Sequence, residues 1–104
     1  MKWDSRDYKR SGAEDNGGWC KAQNIEANFP SLPGVFVFVD KQGNVSLVGV
    51  SVRNNLCATA ASARDNSKAP SELAKATYIQ TRDQTRARAI AKYLRGRYDP
   101  WLND

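Results

Sequence analysis

The chain offers sixteen lysines and arginines, eleven carboxylates and two cysteines for chemistry, and no histidine at all. Without imidazole there is no Ser-His-Asp or Cys-His nucleophile, no histidine general base and no histidine-ligated zinc. Cys20 and Cys57 are too few for a four-cysteine metal site and too far apart in sequence for a short-spaced redox pair; their number permits one disulfide. A secreted domain scaffolded by disulfides usually carries more cysteine. The cations are unevenly placed. Arg82, Arg86, Arg88, Lys92, Arg95 and Arg97 share one short stretch with a single acid, Asp83, whereas the remaining residues hold ten basic and ten acidic groups. The net charge of +5 therefore comes from one segment. Five of its six cations are arginines, whose planar fork suits phosphate oxygens, so the stripe has the electrostatic footprint of a surface for phosphate backbones. The plainer alternative is a solvated helix face with cations gathered toward its C-terminus. Neither implies readout of base sequence.

These side chains need a scaffold, and 104 residues with 40% hydrophobic content supply one domain with one core. Residues 1–28 mix charges, Gly12, Gly17 and Gly18 with isolated aromatics and show no sustained period, which predicts an irregular N-terminal arm. Trp3, Tyr8, Lys9 and Arg10 could make that arm aromatic and basic, or Trp3 and Trp19 could cap the edge of the core. The α/β domain follows over 29–104. Pro30 and Pro33 punctuate its start, and Gly34–Val39, β-branched and aromatic without polar alternation, predicts a strand buried on both faces. A hairpin turn over 40–44 leads into a second strand, Val45 to Val52. A helix from Arg53 or Asn54 places Leu56, Ala60 and Ala63 on one side. After a polar loop, a helical turn over 71–76 precedes a third strand at 77–81. The last helix, capped by Thr81 or Asp83 and ended by Gly96, gathers Ala87, Ile90, Ala91 and Leu94 on one arc and Arg88, Lys92 and Arg95 on the next. The order hairpin, helix, strand, helix predicts an α+β fold with a small three-stranded mixed sheet. The opening MKWDSRDYKR has no apolar signal region, and the Val35–Val39 run is far too short to span a bilayer. The expectation is a cytoplasmic or otherwise intracellular protein, not secreted and without membrane contact.

Leu32-Pro33-Gly34-Val35-Phe36, then ten residues, then Leu47-Val48-Gly49 ahead of a helix, resembles the GIY-YIG nuclease family. There the tripeptides are Gly-Ile-Tyr and Tyr-Ile-Gly or Tyr-Val-Gly at similar spacing. The ending Gly96-Arg97-Tyr98-Asp99 resembles the Pro-Arg-Tyr-Asn-like tail of the excision-repair branch, so the likeness covers residues 31–104. It implies a GIY-YIG-like fold and phosphodiester hydrolysis with one metal ion. A glutamate on the late helix would hold the metal, the tyrosine of the second tripeptide would handle the nucleophile, and an arginine on the following helix would steady phosphate charge. This chain departs at each position: Leu47 replaces that tyrosine, Cys57 the arginine and Ala87 the glutamate, and Phe36 ends the first tripeptide. Hydroxyl, cation and oxygen ligand are all lost, and the mechanism needs all three. Arg53 and Arg64 are the arginines closest to Cys57, and Glu26 and Glu72 are the glutamates besides Glu14 of the arm; none restores the late-helix ligand. A buried Cys57 thiol is more often a small hydrophobe than a nucleophile.

The function expected is a catalytically inactive GIY-YIG-like domain that binds nucleic acid, DNA ahead of RNA. Its candidate contacts are Arg53, Arg64, Arg82, Arg86, Arg88, Lys92, Arg95 and Arg97, and no catalytic residue, metal or cofactor is expected. One alternative is a protein-interaction subunit of a larger, phage-type assembly, with residues 1–28 against the partner. The other is an active metal-dependent endonuclease with relocated catalytic residues, in which Glu72 is the carboxylate to test.

Overall fold

β-branched and aromatic side chains in an unbroken run favour an extended backbone between two apolar layers. In the computed structural model, which describes residues 1–10 and 15–103, every residue of Gly34–Val39 is buried. Gly12 and Glu14 of the opening segment lie outside the described residues. In chain order the elements are α1 (Asp7–Arg10), β1 (Asp15–Asn16), β2 (Cys20–Lys21), α2 (Ile25–Asn28), β3 (Gly34–Val39), β4 (Val45–Val50), α3 (Leu56–Asp65), β5 (Lys75–Gln80) and α4 (Gln84–Tyr98). Short 3₁₀ turns occupy Ala22–Asn24, Pro70–Glu72 and Trp101–Asn103.

The sheet corrects the expected three-stranded mixed arrangement. β3 lies at its centre, with β4 on one side and β5 on the other, and both β1 and β2 pair with the outer edge of β5. Five strands thus fill four lanes, and every adjacent pair is antiparallel. A helical crossover joins parallel strands, and that is what suggested a mixed sheet. β4 and β5 do run parallel across α3, but β3 lies between them, so no parallel pair touches. β1 and β2 are two residues each, too short to display a periodicity in the sequence.

Alternation along β3 divides the interior into two layers. Val35, Val37 and Val39, with Val48 and Ile79, face Ala87, Ile90, Ala91, Leu94 and Tyr98 of α4. Phe36 and Phe38, with Ala76, face Leu56 and Ala60 of α3 and Ala22, Ile25 and Phe29 of the opening segment. Ile25 is fully buried, a contribution of roughly 2 kcal/mol that ties residues 20–29 to the second layer. Trp3 and Tyr8 pack against the first layer, and the Tyr8 hydroxyl meets Thr77 Oγ1 at 2.7 Å. They therefore cap the core and do not form a free arm.

Several element ends differ from expectation. β4 stops at Val50, and α3 begins at Leu56, where Asn55 Oδ1 accepts from the Ala58 N–H at 3.0 Å. β5 starts two residues early, at Lys75, after the Pro70–Glu72 turn. α4 starts after Asp83, which accepts from the Arg86 N–H at 2.8 Å, but runs through Gly96 to Tyr98. Asp99, in the left-handed region with φ of 46°, and Pro100 end it instead. The last turn then folds back: Asn103 accepts from the Val48 N–H at 2.9 Å and donates to the Val48 carbonyl at 2.7 Å, covering the middle of edge strand β4. Among the described residues no helix is long and apolar enough to cross a membrane.

Candidate functional site

Between the exit of β4 and α4 lies a cleft of about 460 Å³ lined by Ser51, Arg53, Gln84, Arg88 and Arg95, with Val50 and Val52 beside them. Its floor is held by the Gln84 side chain. Ser51 Oγ donates to Gln84 Oε1 at 2.8 Å and accepts from the Gly34 N–H at 3.0 Å, while Gln84 Nε2 donates to the Ser51 carbonyl. This locks the start of α4 to the end of β4. Arg88 and Arg95 project from one arc of α4, two turns apart, with exposed Lys92 between them. Arg95 Nε and Nη2 both donate to the Val48 carbonyl at 3.2 Å, which fixes one edge of its guanidinium and leaves the Nη1–Nη2 edge for another acceptor, while the residue stays exposed.

Arg53 enters the cleft from a tight turn in which Val52 pairs with Asn55, closed by the Asn55 N–H donating to the Val52 carbonyl at 3.2 Å. Both central residues have positive φ, 55° at Arg53 and 60° at Asn54. Asparagine tolerates this region, whereas a residue with the bulk of arginine pays about 1–2 kcal/mol for it. Glycine is the residue such hairpin turns favour. The strain at Arg53 persists because Val52 and Asn55 are fixed independently: Thr59 Oγ1 accepts from the Val52 N–H at 2.8 Å and donates to the Asn55 carbonyl at 2.7 Å. A strained cation beside two others is the local feature that packing alone does not explain.

The other predicted contacts fall elsewhere. Arg82 and Arg86 are exposed at the N-terminal end of α4, flanking a smaller hollow with Asp83 and Thr85. Arg64 is held on the opposite side of the sheet by Glu26, at 2.6 and 2.7 Å to its two oxygens, and by Asp65 at 2.9 Å. Arg97 donates through Nε to Asp7 Oδ2 at 2.6 Å. Of the eight cations, then, Arg53, Arg88 and Arg95 converge, Lys92 joins their arc, and Arg64 and Arg97 are committed to carboxylates. Ser51 and Gln84 carried no signal in the sequence, since a serine after a strand and a glutamine after a helix cap are ordinary.

The four positions that the resemblance would set against nuclease residues do not all meet. Phe36, Leu47 and Cys57 belong to the layer under α3, while Ala87 is buried beneath α4 with the sheet between. Cys20 and Cys57 are both free thiols, and burial pushes the Cys20 thiol up from its ordinary range. Among the described residues no three carboxylate or cysteine side chains cluster as a metal site would require.

The ion pairs set an acid limit. Hydrogen bonds from Arg6 hold Asp4 at about 2, and the Arg64 guanidinium holds Glu26 at about 2. Their ordinary values are 3.8 and 4.5, so between about pH 4.5 and 2 the unfolded chain takes up more protons. Melting temperature is expected to be level above that window and to fall as pH drops through it, with Glu26→Gln flattening part of the decline. A melting temperature constant from pH 5 to 2 contradicts this. Burial pushes the Tyr98 hydroxyl up from 10.0 to about 12, so a second loss is expected as pH rises across that interval.

Compared with known proteins, the chain matches no family model, and no curated protein is similar enough to count as a relative.

Proposed function

We propose that this α+β domain is GIY-YIG-like in fold, does not cleave, and binds nucleic acid by seating backbone phosphates in the cleft of Arg53, Arg88 and Arg95. The observation that carries this is the convergence of three arginines from two distant segments, one of them on a strained backbone, around a cleft in whose lining no acidic side chain stands among the described residues. Guanidinium groups bind phosphate oxygens in pairs of parallel hydrogen bonds, and Ser51 and Gln84 add polar groups between them. Lys92, Arg82 and Arg86 extend the positive field along α4 and raise the encounter rate with a polyanion. Absence of cleavage is supported by the apolar packing around Leu47 and Ala87.

The test is affinity against salt for a duplex oligonucleotide between about 50 and 200 mM. Three phosphate contacts give a log–log slope of roughly −3 on duplex and −2 on a single strand. Arg88→Ala is expected to reduce the duplex slope by about one. Arg53→Gly should do the same while leaving stability unchanged or raising it by up to about 1 kcal/mol, because glycine relieves the positive φ. Loss of binding together with equal or greater stability distinguishes a contact residue from a structural one. Affinity that is flat in salt, or slopes untouched by both substitutions, overturns the proposal in favour of a protein partner.

A further inference from the structure

At the hairpin-turn end of the sheet, opposite the arginine cleft, a pocket of about 270 Å³ is lined by Lys2, Trp3, Trp19, Val39, Gly43 and Lys75. Its walls are aromatic and its rim is cationic. Trp3 is stacked on Tyr98 with ring centres 5.3 Å apart, so it is a fixed wall. Trp19 meets Trp3 edge-on at 6.2 Å and is 40% exposed, a large aromatic surface left facing water. Lys75 is the direct cross-strand partner of Lys21 in the β2–β5 pair. Adjacent residues in an antiparallel pair project to the same face, and like charges placed so are destabilising. Among the described residues, none of Lys2, Lys21 and Lys75 has an acidic side chain at ion-pairing distance. The fold thus keeps an unfavourable lysine pair next to an exposed tryptophan, and an anion carrying an aromatic group would relieve both.

We infer that this pocket receives an unpaired nucleobase, so that the nucleic acid bound is single-stranded; the inference rests on the phosphate-binding role of the arginine cleft. The base lies against Trp19, and Lys75, Lys21 and Lys2 neutralise the phosphates on either side. Stacking on aromatic rings accepts any base, because each presents a π-face, and a base inside a duplex cannot enter. Pocket and cleft are separated by about the length of a six-residue strand, roughly 20 Å, which a strand of about six stacked nucleotides covers.

The experiment compares three probes on the intact protein: a single-stranded DNA oligonucleotide about ten nucleotides long, an abasic strand of the same length and phosphate number, and the corresponding duplex. The intact strand is expected to bind about 5- to 150-fold more tightly than the abasic one, the range alanine substitution of a stacking aromatic spans, and to quench tryptophan fluorescence. Trp19→Ala should erase that preference without altering the salt slope of the abasic strand, and Trp19→Phe should retain most of it. Lys75→Gln should weaken strand binding yet raise the melting temperature, since it removes a like-charge contact. Equal affinity for intact and abasic strands, or a preference that survives Trp19→Ala, overturns the base pocket and leaves the arginine cleft standing. Salt-independent or absent binding of all three probes overturns the phosphate reading, and the pocket with it.

Discussion

Asp7→Ala is expected to lower the melting temperature by roughly 10 °C, although the residue stands seven from the N-terminus on a helix of four residues. The Asp7 side chain has no solvent exposure. Arg97 Nε donates to its Oδ2 at 2.6 Å, the Tyr98 hydroxyl donates to the same oxygen, and Arg10 Nη1 stands 3.6 Å from Oδ1. The Tyr98 hydroxyl in turn accepts from the Asp4 N–H at 2.9 Å, and Trp3 is stacked on its ring. One carboxylate therefore fastens the opening segment to the end of α4. Removing one member of a buried charge pair costs about 3–5 kcal/mol when the other is stranded. Here the Arg97 side chain is 30% exposed and turns to water once released, so about 2 kcal/mol is the better figure for Asp7→Ala. Arg97→Met should be the worse of the two, because it strands the carboxylate. Asp7→Leu combined with Arg97→Met should recover much of either loss, as an apolar replacement of the whole pair does. Thermal melts of the three variants at neutral pH check this, and single substitutions that melt within about 1 °C of the parent chain contradict it.

The parts of the fold that strong local patterns dictate were legible in the sequence. Gly34–Val39 announced a doubly buried strand, and the arc of Ala87, Ile90, Ala91 and Leu94 announced the face of α4, all of it buried. Arg88, Lys92 and Arg95 fell on the neighbouring arc for the same geometrical reason. What failed was wherever tertiary contacts outvote local preference. Gly96 does not end α4, because Arg95 is bonded to Val48 on one side of it and Tyr98 is anchored in the first layer on the other. Val52 continues the valine alternation of β4 yet is 61% exposed, since the turn at Arg53 and Asn54 takes the chain out of the sheet first. The opening segment looked irregular because its elements are two to four residues long, and only the fold shows that Asp7 and Ile25 are buried. The arginine cleft was half legible. Its helix contributed a visible stripe, but Arg53 arrives through an unusual turn, and Arg64 and Arg97 could be separated from the rest only once Glu26 and Asp7 were seen beside them.

The two glycines of the nuclease-like tripeptides, Gly34 and Gly49, should prove the least replaceable small residues of the sheet, for reasons of packing alone. A Cβ on Gly34 would run into the Ile79 carbonyl oxygen and the Leu56 side chain, and lie 3.2 Å from the Gln80 Cα. Two of these three neighbours are backbone of β5, which is held in register with β3 along six residue pairs and cannot retreat. Gly34→Ala is therefore expected to cost about 3 kcal/mol or more, at or beyond the usual range for overpacking. At Gly49 the obstacle is the Phe36 ring, directly across the β3–β4 pair and itself packed edge-on against Phe38 at 5.8 Å. Gly49→Ala should cost about 2–3 kcal/mol. The two obstacles differ in kind, and a second substitution exposes the difference. Phe36→Leu should restore a good part of the stability lost in Gly49→Ala, because the clash is with a side chain. Leu56→Ala should restore little in Gly34→Ala, because the Ile79 carbonyl stays where it is and a cavity is added. Denaturant unfolding of the single and double variants measures all four. If Gly49→Ala unfolds at the parent midpoint, Phe36 has room that its packing denies. If the expected pattern holds, the spacing of the two tripeptides follows from hairpin register and ring size, and a chain can carry it without carrying a nuclease site.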